Sequence, residues 1–289
     1  MGLLRRISSL ALILKKGNAE AGAACSKIIE TLERRKLKFG LIRHPEDAAL
    51  WVGQQNADLI LVLGGDGTLI SVARQCLGLA VPIGGINFGR VGFLNELSPR
   101  NCLSVLEKTL DEGVAAHELV SLAFTLTDGN GCEKLRGEAV NDVTITRGKI
   151  ARLSVLDIAA DAVPFVSLRS DGLIFSTPTG ATGYSCSAGG PLIWPGLNAY
   201  AVTAICPYLN NFPPLVLSPE TVFTVRIGEA SPEACLAVDG QETHRIGPGD
   251  LLKVNAVRGR LLMADFGVSG YFDRLLRCGF VRGGRQNQE

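Results

Sequence analysis

The sequence predicts two regions of different class: an α/β domain built on a parallel sheet, then a β-rich domain. Three observations predict it. Leu59–Leu63 is an unbroken apolar run closed by Gly64 and Gly65, which suits a strand buried on both faces. Strand-like and helix-like patterns alternate from residue 10 to residue 112, which implies a parallel sheet with right-handed crossovers. Past residue 115 helical patterning nearly vanishes until Tyr271, and short runs of β-branched and apolar residues replace it. The expected organisation is a Rossmann-like parallel α/β domain over residues 1–115, a β-sandwich-like domain over 116–270 and a C-terminal segment over 271–289. That segment ends in Gly283 to Glu289, which reads as a frayed tail.

Each element follows from its local pattern. Leu10 to Leu14 is the first strand, and Gly17-Asn18 turns the chain. Ala19 to Lys36 is helical, with Ile28, Ile29 and Leu32 as its apolar stripe and Glu30, Glu33, Arg34 and Arg35 on its wet side. Leu37 to Ile42 is the second strand, Pro45 to Val52 one or two helical turns, Leu59 to Leu63 the third strand and Val81 to Ile86 the fourth. Pro99 to Glu112 is a helix whose Leu103, Leu106 and Leu110 share a face. In the second half, Val120 to Thr127 and Ala139 to Thr146 flank the turn signal Asp128-Gly129-Asn130-Gly131. Further strands are expected at Leu153–Ile158, Phe165–Leu168, Leu173–Ser176, Val202–Cys206, Val222–Ile227, Cys235–Val238, Leu251–Asn255 and Leu261–Phe266, with a last helix at Tyr271–Arg277.

Composition excludes several classes. Hydrophobic residues make up 46% of the 289 and charged residues 20%, enough for a sizeable core. The net charge of +1 gives no support for a nucleic-acid or membrane surface. Eight cysteines are so dispersed that neither a CxxC redox motif nor a finger-type zinc site is indicated, and they read as reduced packing residues in a cytoplasmic protein. Arg5-Arg6 followed by Leu10–Leu14 faintly resembles a secretion signal. Lys15-Lys16 closes that run without a cleavage site, so a first strand is the better reading. The myristoylation pattern at Gly2 fails, and no apolar run reaches bilayer length.

Chemistry enters at Gly64-Gly65-Asp66-Gly67-Thr68, between the third strand and a helix start. Glycines let the backbone turn tightly around an anion, and amides at a helix N-terminus attract it. Ligands of parallel sheets sit at the carboxyl ends of strands, where this loop falls. A carboxylate in such a cradle would repel phosphate, so Asp66 makes sense as a metal holder or as acceptor of a hydroxyl proton. The plain alternative is a helix cap from Asp66 or Thr68. The loop is not a Walker A motif, because no Gly-Lys-Ser/Thr follows.

GGDGT after a buried strand resembles the signature shared by NAD kinases, diacylglycerol and sphingosine kinases and, more loosely, phosphofructokinases. Three further segments resemble NAD kinases in particular. Asn87 to Leu94, NFGRVGFL, is similar to their INxGxLGFL segment and carries over Asn87, Gly89, Gly92 and Phe93. Ser170 to Pro191 contains DGLIFSTPTGATGYSCSAGGP, which resembles the family's DGxIxSTPTGSTAYxxSAGGP. Ala181 stands there in place of Ser, and Gly183 in place of Ala. Ala139 to Val143 resembles a motif in which Asn-Glu grips the adenosine ribose, with Asp142 one methylene shorter than that Glu. Val238-Asp239-Gly240-Gln241 is a weaker match, and Tyr208 stands where the family more often has His.

The resemblance implies an ATP-dependent NAD kinase that phosphorylates the 2′-hydroxyl of the adenosine ribose to make NADP. It implies that Gly64, Gly65, Gly67 and Thr68 cradle donor phosphates, that Mg²⁺ or another divalent cation offsets their charge, and that Asp66 is catalytic. NAD is expected at Asn87, Phe93, Asn141, Asp142, Asp171, Thr179, Thr182, Gly183, Tyr184 and Ser187. An active site between the domains, a 271–280 segment returning to the first domain and a homodimer or homotetramer are implied as well. The rivals are a diacylglycerol-type lipid kinase sharing GGDGT and a nucleotide-binding regulator without transfer activity.

Overall fold

In a computed structural model of the chain, the apolar runs of the first 115 residues become a parallel sheet. The structure describes residues 5–15, 17–89, 92–148, 153–209, 212–229, 231 and 233–281, so the expected tail from Gly283 lies outside the described residues. The chain divides into two units, one comprising the chain up to Glu118 together with Leu261 onward, the other Leu119–Arg260.

The first unit opens with β1 (Ser9–Leu14), α1 (Ala19–Arg34), β2 (Lys38–Ile42), α2 (Ala48–Gln55) and β3 (Leu59–Leu63). It continues with α3 (Asp66–Gln75), β4 (Pro82–Ile86) and α4 (Cys102–Glu112). The strands lie parallel in the order β2-β1-β3-β4. The chain leaves β1 toward one edge and later crosses to the other. The order therefore reverses beside β3, the kind of switch point at which ligands bind. All five residues of β3 have no exposed surface, as a two-faced strand requires. Leu59, Leu61 and Leu63 share a cluster with Leu10, Leu12, Ile28, Leu32 and Leu106, which is how α1 and α4 bury their stripes. Asn18 caps α1 by accepting the Ala21 amide at 3.0 Å, and Asn56 ends α2 in the left-handed region.

The second half contains β5 (Ala115–Thr127), β6 (Glu133–Ala139), β7 (Asp142–Arg147), β8 (Ser154–Ala160), β9 (Val163–Ser170) and β10 (Gly172–Ser176). After the one-turn helix α5 (Tyr184–Ser187) come β11 (Tyr200–Ile205), β12 (Leu215–Leu217), β13 (Phe223–Ile227), β14 (Ala234–Val238) and β15 (Glu242–Ile246). The last elements are β16 (Leu251–Asp265) and α6 (Tyr271–Arg277). Within the second unit, one antiparallel sheet runs β12-β11-β10-β7-β14-β15. A second joins the first part of β16 to β13, β8 and β9. Val143, Phe175 and Leu236 from one sheet and Leu156, Phe223 and Leu252 from the other fill a single core, as in a sandwich.

Four expectations are corrected. The Asp128–Gly131 turn joins β5 to β6, not to the strand beginning near residue 139, because polar β6 pairs with β5 and sets Gly137 opposite Phe124. The two strands expected at 251–255 and 261–266 are one, β16, which carries the chain through Gly259 at φ 66°. Strands β12 and β15 were not expected at all. Cys25, Cys76 and Cys102 are buried packing residues, but Cys132 and Cys206 are exposed, and all eight thiols are free.

Candidate active site

The expected site residues gather in two groups, one in each unit. In the first unit, Gly65 is the N-cap of α3 in extended conformation and Asp66 is the first helical residue. Asp66 therefore does not cap its helix. Its carboxylate turns instead to the segment after β4: Oδ2 accepts the amides of Phe93 at 2.7 Å and Leu94 at 3.2 Å. Oδ1 accepts the amide of Asn95 at 3.3 Å and its Nδ2 at 2.5 Å. Such a carboxylate has about four acceptor positions, so these four donors hold it firmly. Gly92 is required here, because a Cβ would lie 2.4 Å from Asp66 Oδ1.

The rest of this group falls close by. Thr68 is buried, its side chain against the Cα of Gly64, where a Cβ would stand 3.0 Å from it. Asn87 Oδ1 accepts the Gly89 amide at 3.2 Å, an Asx turn that leads out of β4. Arg90 and Val91 of the expected 87–94 segment lie outside the described residues. The Phe93 ring is 8% exposed and packed edge-on against Tyr271 and Phe280, so what it presents to Asp66 is its amide.

In the second unit, Asn141 and Asp142 open β7 and Thr177 follows β10 directly. Thr177 stitches these segments together: its amide donates to the Asn141 carbonyl at 2.9 Å and its Oγ1 to the Val140 carbonyl at 2.7 Å. Gly180 then approaches so closely that a Cβ would be 2.1 Å from the Asn141 carbonyl oxygen. Thr182 Oγ1 reaches back to the Thr179 carbonyl at 3.4 Å, while Gly183 sits with its Cα side toward Asn141 Nδ2. Tyr184 and Ser187 project from α5 into solvent, Tyr184 with 44% of its surface exposed. Asp171 is half-buried and paired with Arg147 at 3.2 Å. Ala181 is fully buried with Ile193 and Ala201, so its methyl fills an apolar niche.

Two features of this group point to a ligand. Asn141 Oδ1 is buried and has no hydrogen-bond partner, a state that costs free energy unless a donor arrives. Asp142 is 7% exposed, and burial first, then the charge of Asp239, push its carboxyl up to about 6. Asp239 itself binds the turn: it accepts the amides of Val140 at 3.1 Å, Asn141 at 2.7 Å and Asp142 at 3.1 Å. Sequence reasoning gave no role to Asp239 or Asn95. The signals were present, since Asp239 lies in the weakly matched Val238–Gln241 stretch and Asn95 directly follows the 87–94 segment.

Residues 11–114 match the model of the ATP-NAD kinase N-terminal domain, and residues 140–264 that of the ATP-NAD kinase C-terminal domain. The chain is 45% identical over 278 residues to an NAD kinase of Nitratidesulfovibrio vulgaris, spanning 96% of this chain and 92% of that protein.

The chain belongs to the NAD kinase family.

It has that family's enzymatic activity, which sets aside the lipid-kinase and regulator alternatives. An NAD kinase of Oleidesulfovibrio alaskensis is 40% identical, spanning 96% of this chain and 95% of that one. Among solved structures, an Archaeoglobus fulgidus NAD kinase in complex with ATP is 26% identical with a TM-score of 0.74, covering 94% of this chain and 99% of its own. Yeast NADH kinase complexed with NADH shares the fold with a TM-score of 0.82 at 23% identity, covering 98% and 91%.

A divalent cation was expected. Among the described residues no three His, Cys, Asp or Glu side chains gather to hold one. Mg²⁺ commonly keeps its waters and is bound by one or two carboxylates plus substrate phosphates. A glycine loop with a single carboxylate fits a cation carried on the nucleotide.

Proposed function

We propose that this NAD kinase transfers the γ-phosphoryl group of ATP to the 2′-hydroxyl of the adenosine ribose of NAD. The observation that carries the acceptor assignment is the orphaned Asn141 Oδ1 beside the raised carboxyl of Asp142. A pair of ribose hydroxyls supplies the donor that Asn141 Oδ1 lacks and adds one to Asp142, whose Oδ1 already accepts from Thr144 at 3.1 Å, and each hydrogen bond to the carboxylate favours its charged form. Thr179, Thr182 and Gly183 line the adenosine, with the exposed ring of Tyr184 as a stacking face and Ser187 and Asp171 further along the dinucleotide. On the donor side, Gly64, Gly65, Gly67 and Thr68 take the ATP phosphates at the N-terminus of α3, while Asn87 and Phe93, on the turn that follows β4, are assigned to NAD. A divalent cation bound with the nucleotide would supply charge neutralisation at the transferring group. Asp66, held in one orientation by its four donors, accepts or orients the proton of the attacking hydroxyl at the position of its longest contact, the 3.3 Å bond from the Asn95 amide, which gives way as the hydroxyl binds. Assembly as a homodimer or homotetramer, which rests on the family resemblance, and a cytoplasmic location, which rests on the dispersed cysteines, belong to this reading. The described helices include none long and apolar enough to cross a membrane.

A coupled assay offering NAD, NADH or diacylglycerol with ATP or inorganic polyphosphate tests the reading. NADP formed from NAD and ATP is the expected result, and transfer to diacylglycerol instead would overturn it.

A further inference from the structure

Among the described residues, every donor to the Asp66 carboxylate belongs to the 93–95 turn, and the Phe93 and Leu94 side chains of that turn pack with the C-terminal segment. The Phe93 ring meets Tyr271 and Phe280 edge to face, with centroids 5.6 and 5.7 Å apart. The Arg274 guanidinium carbon lies 5.6 Å from the centroid of the same ring. Arg274 Nη1 also donates to Glu96 Oε1 at 2.8 Å and to the Ser269 carbonyl at 2.9 Å. The other oxygen of Glu96 accepts the Phe266 amide at 3.1 Å. At the opposite end of the turn, Cys278 Sγ donates to the Gly92 carbonyl at 3.9 Å. Both flanks of the turn and its leading ring are thus tied to α6 and the residues beside it. The ion pair is mostly buried, with side chains 15% and 13% exposed, so its partners depend on each other.

We propose that Arg274 is a positioning residue for phosphoryl transfer: through Glu96 and Phe93 it holds the 93–95 turn, and through that turn it holds Asp66 in its reactive orientation. This rests on the reading of Asp66 given above. An anchor of α6 alone would matter for stability and not for rate. A residue that sets the position of Asp66 matters for rate, because misplacing a reacting group by about 1 Å can cost on the order of a hundredfold.

The experiment compares Arg274→Met, which keeps an apolar stem over Phe93 but loses the charge, with Arg274→Lys, Glu96→Gln and Asp66→Asn in the full chain. Steady-state kinetics and amide hydrogen exchange at Phe93, Leu94 and Asn95 are measured on each. R274M is expected to lower kcat about tenfold or more with both KM values within about threefold, and to speed exchange of the three amides. R274K is expected to recover part of kcat. E96Q, which keeps an acceptor for Arg274, is expected to show the same pattern more weakly and serves if R274M does not fold. In the D66N background the R274M effect should shrink below about threefold, because residues acting through one another are not additive. An unchanged kcat in R274M, or an equal loss in the D66N background, overturns the proposal. Near-normal kcat in D66N itself overturns the reading of Asp66 instead, whatever the amide exchange shows.

Discussion

Asp239 binds the backbone of Asp142 and opposes the charge of its side chain. Its Oδ1 accepts the Asp142 amide at 3.1 Å, while its negative charge is the second cause, after burial, of the raised Asp142 carboxyl. The turn that presents Asn141 and Asp142 is therefore built at the expense of ionising Asp142, and the apo protein carries that cost at neutral pH.

Stability should report it. A carboxyl raised from 3.8 to about 6 contributes stability that is complete below the unfolded value and lost as pH rises through the folded one. From pH 4 to pH 7 this group should remove up to about 3 kcal/mol, because each tenfold change in proton affinity is worth about 1.36 kcal/mol. Asp142→Asn should flatten that portion of the curve and melt higher than the parent at pH 8. Thermal melts of both proteins across this range check it, and parallel curves would contradict the assignment.

Substrate binding should run the other way. On the proposed reading the NAD hydroxyls use the Asp142 carboxylate as acceptor, so KM for NAD should rise as pH falls below about 6. Asp142→Ala should raise KM for NAD about tenfold or more, from the roughly 1.5–3 kcal/mol of a hydrogen bond to a charged group, with KM for ATP little changed. Asp142→Glu restores the longer acid but adds a methylene at a buried position, so it should keep activity while lowering Tm. A Tm loss in D142A with both KM values unchanged would mark Asp142 as a turn-forming residue only.

Asp66→Asn should retain the fold and lose about 10²–10⁴ in kcat. The amide cannot accept all four donors that the carboxylate does, so faster exchange at Phe93 and Leu94 should accompany the loss. Wild-type kcat at saturating Mg²⁺ would sink this role.

Gly92→Ala tests the same site without replacing the acid. Its Cβ would stand 2.4 Å from Asp66 Oδ1 and must displace it. kcat should fall while KM for NAD, whose ribose the proposed reading assigns to Asn141 and Asp142, stays near the parent value. A fall in NAD affinity with normal kcat would be the wrong outcome.

Tyr184 is exposed, so Tyr184→Ala should leave Tm unchanged. Stacking on a base is worth about 1–3 kcal/mol. Calorimetry should therefore show NAD binding weakened at least about fivefold, and a change well under threefold would remove Tyr184 from the adenine site.

What the chain determines locally was legible in its sequence. Leu59–Leu63 forms β3 residue for residue, because five consecutive apolar side chains can be satisfied only with both faces buried. The Tyr271–Arg277 helix and the position of GGDGT at a strand end follow from equally local patterns. Polar β6 and β15 were not legible, since Glu133–Ala139 and Glu242–Ile246 become strands by pairing with β5 and β14. Leu251–Asn255 and Leu261–Phe266 were expected as two strands, yet the ladders at either end carry β16 through as one. The sequence named the residue types of the site and the family they resemble. Only the tertiary structure decided that Asp66 is held by residues 27 to 29 positions away. It alone set the charge of Asp239 beside Asp142, 97 positions away. Hydrogen bonds and desolvation act through space over a few ångströms, and no local pattern records which distant residues the fold will bring within that range.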